Sequence, residues 1–523
     1  MPDTTTAWKD LVGVALVGTE RRAFSPPILA GALGSSLDAA REQSPEAALL
    51  STAAALALYR RAGRMPTRLR SPEGAPASAT DQPPCSAAAG QQLALMLTGQ
   101  YAEALSEWLD RLARAGQRVA SEHLPALLEL ARARAELRPA ITAVLGRRGE
   151  WLAALNPDWA PIVDALPETP ETAALAATWE TADRAARLGV LRHLRARPSL
   201  RHLSVILLRA TWEEESAEDR AAFIQALSDG LSLDDEDFLE RALDDGAKSV
   251  RLAAADLLAR MPASQLAARM VERLRPLVQF ERGWFKVRRF RLELPARCDA
   301  AMQRDGIEPK PRGSRGERAW WMLQIVAAAP LEFWTSTLDA PAAECVTLAS
   351  ATEWRTLLVE GWSQAVARQS ATGTPEAAEW AEALLKAVLA EPEAVSVGVL
   401  LLGLPPERRE EFVSQYLLSF PELGDDSPTQ RLLADDWGQW GPALSRAAVE
   451  ALRAHIAADN SHHPGRLLGL FRQVAFCADP AVSLELARRL QAAAAHKEHW
   501  PDAVERYLAV AEFRHAMHQE LKP

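Results

Sequence analysis

Four histidines near the end of the chain, His496, His499, His515 and His518, form two i, i+3 pairs. That spacing places two imidazoles on one helical face, as a zinc site requires. Glu512 lies close by, but HExxH is absent and Trp500-Pro501 separates the pairs. A solvated terminal surface is therefore the favoured reading, and His462-His463 near Cys477 makes a weaker case of the same kind. The acidic run Asp234-Asp235-Glu236-Asp237 has the ligand chemistry for a hard cation, yet it lacks the alternating ligands and the glycine of a calcium loop. Carboxylates there fit better as the start of a helix, where they stabilise the macrodipole. No GxSxG elbow, GxxxxGK[ST] phosphate loop or GxGxxG turn occurs. Gly18, which follows an apolar run, reads as a helix C-cap. No catalytic residue, cofactor or metal is expected.

The segment 269–318 holds 14 Lys+Arg against 7 Asp+Glu, in a chain whose net charge is −10. Within it Phe280, Trp284, Phe285 and Phe290 interleave with Arg282, Lys286, Arg288, Arg289 and Arg291. Such a pattern can stack bases and hold phosphates. It equally describes an amphipathic hairpin whose aromatic side packs on the protein and whose cationic side meets solvent or an acidic partner. The overall acidity argues against nucleic acid. Arg282, Lys286, Arg288, Arg289 and Arg291 are thus candidates for a partner-binding surface, with nucleic acid as the second choice. Arginine outnumbers lysine 52 to 7, which the coding bias of a GC-rich genome explains without any function.

The elements that must position these groups are almost all helical. The organising stretch is 232–270. Phe238, Leu239, Ala242 and Leu243 mark one apolar face, and Asp244-Asp245-Gly246 breaks the helix. Val250, Ala253, Ala254, Leu257, Leu258 and Met261 then follow at i, i+3, i+4, i+7, i+8 and i+11, until Pro262 ends the run. Two such helices cannot bury both faces alone, so they need stacked neighbours. The pattern of Asp245, Val250, Arg251, Ala254, Leu257 and Leu258 resembles a HEAT repeat, and 179–261 has room for two units of about 40 residues.

The predicted fold is all-α: an α-solenoid of HEAT-like helical pairs with one inserted basic β-hairpin. Its parts are an N-terminal helical segment 1–62, a Pro/Ser/Gly-rich linker or long loop 63–90, and helical repeats 91–276. The basic hairpin and its loop occupy 277–316, and C-terminal helical repeats fill 317–523. The 16 tryptophans read as gap-fillers between alanine-rich helices. No apolar run approaches the roughly 20 residues that cross a bilayer, and the first residues read as a helix and not a signal peptide. Four scattered cysteines form no CxxC pair, which suits a reducing cytoplasm.

GTERRAF, LGRRGEWLAALNPDW, EDFLERALDDGAKSVRLAAADLLARMPAS, LPARCDAAMQRDGI and GERAWWMLQIV occur in that order. Together they resemble a bacterial family catalogued only as a domain of unknown function. The resemblance implies α-helical, HEAT-like repeats and no established activity. It also implies genes often placed beside a MoxR-type AAA+ ATPase, von Willebrand factor A domain proteins and a SWIM zinc-finger protein. The expected role is a non-catalytic protein-binding scaffold or adaptor, with the ATPase or a von Willebrand factor A domain protein as partner. A nucleic-acid-binding repeat protein is the alternative, and an uncharacterised enzyme the third.

Overall fold

The computed structural model describes residues 4–62, 82–159, 162, 179–282, 288–311, 313–370, 374–391, 395–424, 427–434, 438–458, 467–497 and 500–522. The chain divides into two compact units, Met1–Ala77 and Ser78–Pro523. In the first, helices Thr4–Val17, Gly31–Asp38 and Pro45–Ala62 gather around Leu11, Leu33, Leu37 and Leu56. Among the described residues of either unit, no helix is long and apolar enough to cross a membrane.

The second unit is built from short helices stacked on their neighbours, and 232–270 shows why. Asp235 closes a capping box with Ser232 at the head of the first helix, Glu236–Ala242. In the turn that follows, Asp245 accepts from the Ala247 amide at 2.8 Å and pairs with Arg220 at 2.9 Å. Arg251 returns from the next helix, Lys248–Ala259, to donate to the carbonyls of Asp245 and Gly246 at 2.7 and 3.0 Å. The predicted stripe faces inward: Val250, Ala254, Leu257 and Leu258 are buried. Ser264 then starts Gln265–Leu274, accepting from the Ala267 amide and donating to the Leu258 carbonyl.

A recurring tie joins helices further along. The last carbonyls of a helix have no partner within it. Arg368 donates to the Ala327 carbonyl, 41 residues back, and Gln369 to Ala329, 40 back. Arg431 does the same to Val388, 43 back, and Arg514 to Ala475, 39 back. Each reaches the end of the third helix back along the chain.

The one two-stranded sheet among the described residues is the expected hairpin. Strand β1, Val278–Arg282, pairs antiparallel with β2, Arg288–Leu292, with Val278 opposite Leu292 and Phe280 opposite Phe290. Val278 and Leu292 are buried, and Phe290 meets Trp334 edge-on at 6.4 Å. Trp334 in turn packs on Trp362 at 5.3 Å and Trp362 on Trp380 at 4.8 Å. These three rings are fully buried, the gap-filling role expected of tryptophan in thin-helix packing.

Two boundaries differ from expectation. Of the proposed linker, 63–81 lies outside the described residues, but 82–90 is folded: Cys85 is buried, Ser86 caps a helix, and Ala87–Leu97 follows. The run 91–276 is not one continuous core. Residues between Cys85 and Ile162 form a separate core that includes Met517 and Leu521, whereas the main core begins at Trp179. The Trp500–Glu520 helix has apolar residues at Phe513 and Met517; the early helices bury Met517 and partly cover Phe513. Sequence order is therefore not packing order.

Candidate partner-binding surface

Three adjoining cavities of about 480, 240 and 180 Å³ make one groove in the second unit. Leu252 lines all three, and Asp256 lines the larger two. The helical periodicity that turns Val250, Ala254 and Leu257 inward leaves Leu252 and Asp256 on the open side of the same helix. Gln225 and Ser228 border one end, and Gln364 and Arg368 the other. The groove thus crosses helices Ala217–Ala226, Lys248–Ala259, Glu317–Ala328 and Arg355–Gln369.

Its polar groups are mostly held in place. Asp256, 40% exposed, receives Arg260 at 2.8 Å on one oxygen and Arg368 at 3.2 Å on the other. Lys248 pairs with Glu308 at 2.6 Å. Gln324 accepts from the Glu308 amide at 2.8 Å and donates to its carbonyl at 3.1 Å. Below them Asp305, almost fully buried, takes Arg269 at 2.8 Å and Arg273. Burial tends to lower the Arg269 pKa, but Asp305 and Glu240 beside it hold it above the ordinary value. On the wall stands Trp320, whose Nε1 is buried without a hydrogen-bond partner. The groove offers paired charges beside apolar side chains such as Leu252, Leu266 and Met270. That is suited to binding.

The predicted site residues are placed as follows. Arg291 is exposed on β2 opposite Gln279, on the other side of the strand from Phe290 and Leu292. Arg282, Arg288 and Arg289 lie in the strands by their backbones, and their side chains fall outside the described residues, as does Lys286 altogether. Asp245 and Arg251 hold the turn of one helical pair, and Val250, Ala254, Leu257 and Leu258 lie in its core. The acidic run does begin a helix, but Asp235 also holds the buried Arg195, a pairing no local pattern announces.

His518 departs from the solvated-surface reading. Its Nε2 donates to Glu107 Oε1 at 2.6 Å, and Arg111, which can only donate, meets Nδ1 at 3.0 Å. Arg514, 1% exposed, adds bonds of 2.8 and 3.1 Å to Glu107 and reaches the Ala475 and Ala478 carbonyls. Burial pushes the Glu107 carboxyl up, but the hydrogen bonds from His518 and Arg514 and the Arg514 charge outweigh it and hold its pKa at about 2. The cluster locks the early helix Leu105–Arg114 to the last one. His515 is half-buried, and His462, His463 and His499 lie outside the described residues. Among the described residues, no three His, Cys, Asp or Glu side chains come together as metal ligands would.

A family model described as "Family of unknown function (DUF5691)" matches residues 10–521, which take in the groove, the hairpin and the His518 cluster. The chain belongs to that family. No curated protein matches it. The description of DUF5691 assigns no activity, so the function of this DUF5691 chain is argued from its own geometry.

Proposed function

We propose that this chain is a HEAT-like α-solenoid that works in the cytoplasm as a non-catalytic scaffold, binding protein partners along the groove that passes Leu252 and Asp256. The groove carries the reading: it crosses four helices, and its charges are held in pairs. The ties spaced 39 to 43 residues support the repeat assignment, because HEAT-type units run to about 40–47 residues. Stacked helical surfaces can bury the roughly 1,200–2,000 Å² of a specific complex without a deep pocket. The partner class is the MoxR-type AAA+ ATPase or von Willebrand factor A domain protein implied by the resemblance. The basic hairpin, Arg291 included, would speed docking to an acidic partner surface.

The test is co-purification of the full-length protein with the neighbouring ATPase and von Willebrand factor A domain protein, followed by binding kinetics. Asp256→Arg should weaken capture about tenfold through like-charge contact with Arg260 and Arg368, while changing stability by no more than about 1 kcal/mol. Raising salt should slow association more than it speeds release. Capture of neither neighbour, together with turnover of a metabolite by the purified protein, would replace the scaffold with an enzyme. The second reading, nucleic acid at the hairpin, rests on the exposed Arg291. Tight single-strand binding at physiological salt, with a salt slope flattened by reversing Arg288, Arg289 and Arg291, would favour it.

A further inference from the structure

A second cleft, of about 460 Å³, lies apart from the groove, between helices Leu467–Cys477 and Trp500–Glu520. We propose that it is a docking notch for a short amphipathic helix of a partner protein, one carrying an acidic residue on its flank. This inference rests on the scaffold reading and names the chemistry of one partner segment.

The shape of the cleft follows from residue size. Gly469, Ala475 and Ala503 are the small residues of its lining, and a Cβ on Gly469 would meet nothing within 4 Å. Leu468, Phe471, Phe476 and Val510 supply its apolar side chains, with Leu468 42% exposed. From Leu468 to Phe476 the first helix runs about 12 Å, so the notch accepts two turns of a third helix. Facing small residues let a helix backbone come close, and large ones beside them grip its apolar stripe.

Tyr101 lines the cleft as well and carries the second observation. Its φ of 58° puts a bulky residue in the left-handed region, where only glycine sits without strain. Its ring is stacked on Phe513 at 4.2 Å. Strain of this kind collects at ligand clamps.

Charge selects the occupant. Arg472 and Arg506 both line the cleft; Arg472 pairs with Glu103, whereas Arg506 is exposed and makes no ion pair among the described residues. Two cations against one carboxylate leave a place for an acidic side chain. Of the two hydroxyls in the lining, on Tyr101 and Tyr507, the second is already bonded to Ser483 at 2.7 Å. Small-molecule sites fix their ligand with convergent polar groups. This cleft has its charges on flexible arginines instead, which suits a helix with an apolar face better.

The experiment uses the full-length protein and a phage-displayed library of 12-residue peptides, selected on the wild type and counter-selected on Gly469→Phe. That variant fills the notch from a helical position with open space, and circular dichroism should show it folded. The expected winners carry apolar residues at i, i+3 or i+4, and i+7, with Asp or Glu on one flank. Synthetic winners should bind Gly469→Phe and Arg506→Glu about tenfold or more weakly than wild type. Basic or non-amphipathic winners would overturn the proposal, as would binding indifferent to Gly469→Phe. So would uptake of 8-anilinonaphthalene sulfonate that Gly469→Phe abolishes when no peptide is selected. If the ATPase or its neighbour is still captured in that case, the scaffold reading stands and only the notch falls.

Discussion

Arg195→Ala is expected to destabilise the protein by about 3–5 kcal/mol, the range for removing one partner of a buried ion pair. Arg195 is 1% exposed and meets both oxygens of Asp235 at 2.8 and 2.7 Å. It also donates to the carbonyls of Leu227, Asp229 and Gly230 at 3.0, 2.7 and 2.9 Å. Alanine would leave a buried carboxylate and three carbonyls without their donor. Arg195→Lys should recover little, because an ammonium group has three donors and no planar fork for this set. Guanidinium denaturation of Arg195→Ala, Asp235→Leu and the double variant supplies the check. The double variant should be more stable than Arg195→Ala, since the unpaired buried charge is gone. A loss below about 1 kcal/mol in Arg195→Ala would mean that the pair behaves like an exposed one and not as a buried tie.

Acid should weaken the attachment of the last helix, by about 3 kcal/mol in all. The Glu107 carboxyl has a folded pKa of about 2 against an ordinary 4.5. A depressed folded pKa contributes stability that is fully present above the unfolded value and is lost as pH falls through the folded one. The window is therefore pH 4.5 down to about 2, and a shift of that size corresponds to about 3 kcal/mol. Glu107→Gln should be less stable than wild type at pH 6 and should lose less of its stability over the acid range. Denaturation midpoints at pH 6, 4 and 3 make the comparison. Hydrogen exchange within Leu105–Arg114 should rise in wild type over the same interval. An identical acid profile in the two proteins would sink the assignment of Glu107 as the pH-linked group at this contact.

How far these features can be read from the chain alone depends on the distance between the residues involved. The stripe from Val250 to Met261 was legible because helical periodicity is local: six apolar residues at the right offsets have one face to share. The turn at Asp245 and the stop at Pro262 were legible for the same reason. So was the hairpin, where the spacing of apolar residues changes to period two. The family was legible as well, and its model matches residues 10–521.

The ties between helices were not legible. Arg195 meets Asp235 from 40 residues away, and Arg514 meets Glu107 from 407 away. An arginine at a helical position looks the same in sequence whether it faces solvent or fills a buried pocket of carbonyls. His518 read as solvated because its partner, Glu107, belongs to an early helix that only packing brings near. The groove past Leu252 and the notch beside Gly469 depend on how far each helix is offset from the next. Side-chain periodicity sets which face of a helix is buried. The offsets follow from the fit of large against small residues across contacts, and that fit exists only in the folded chain.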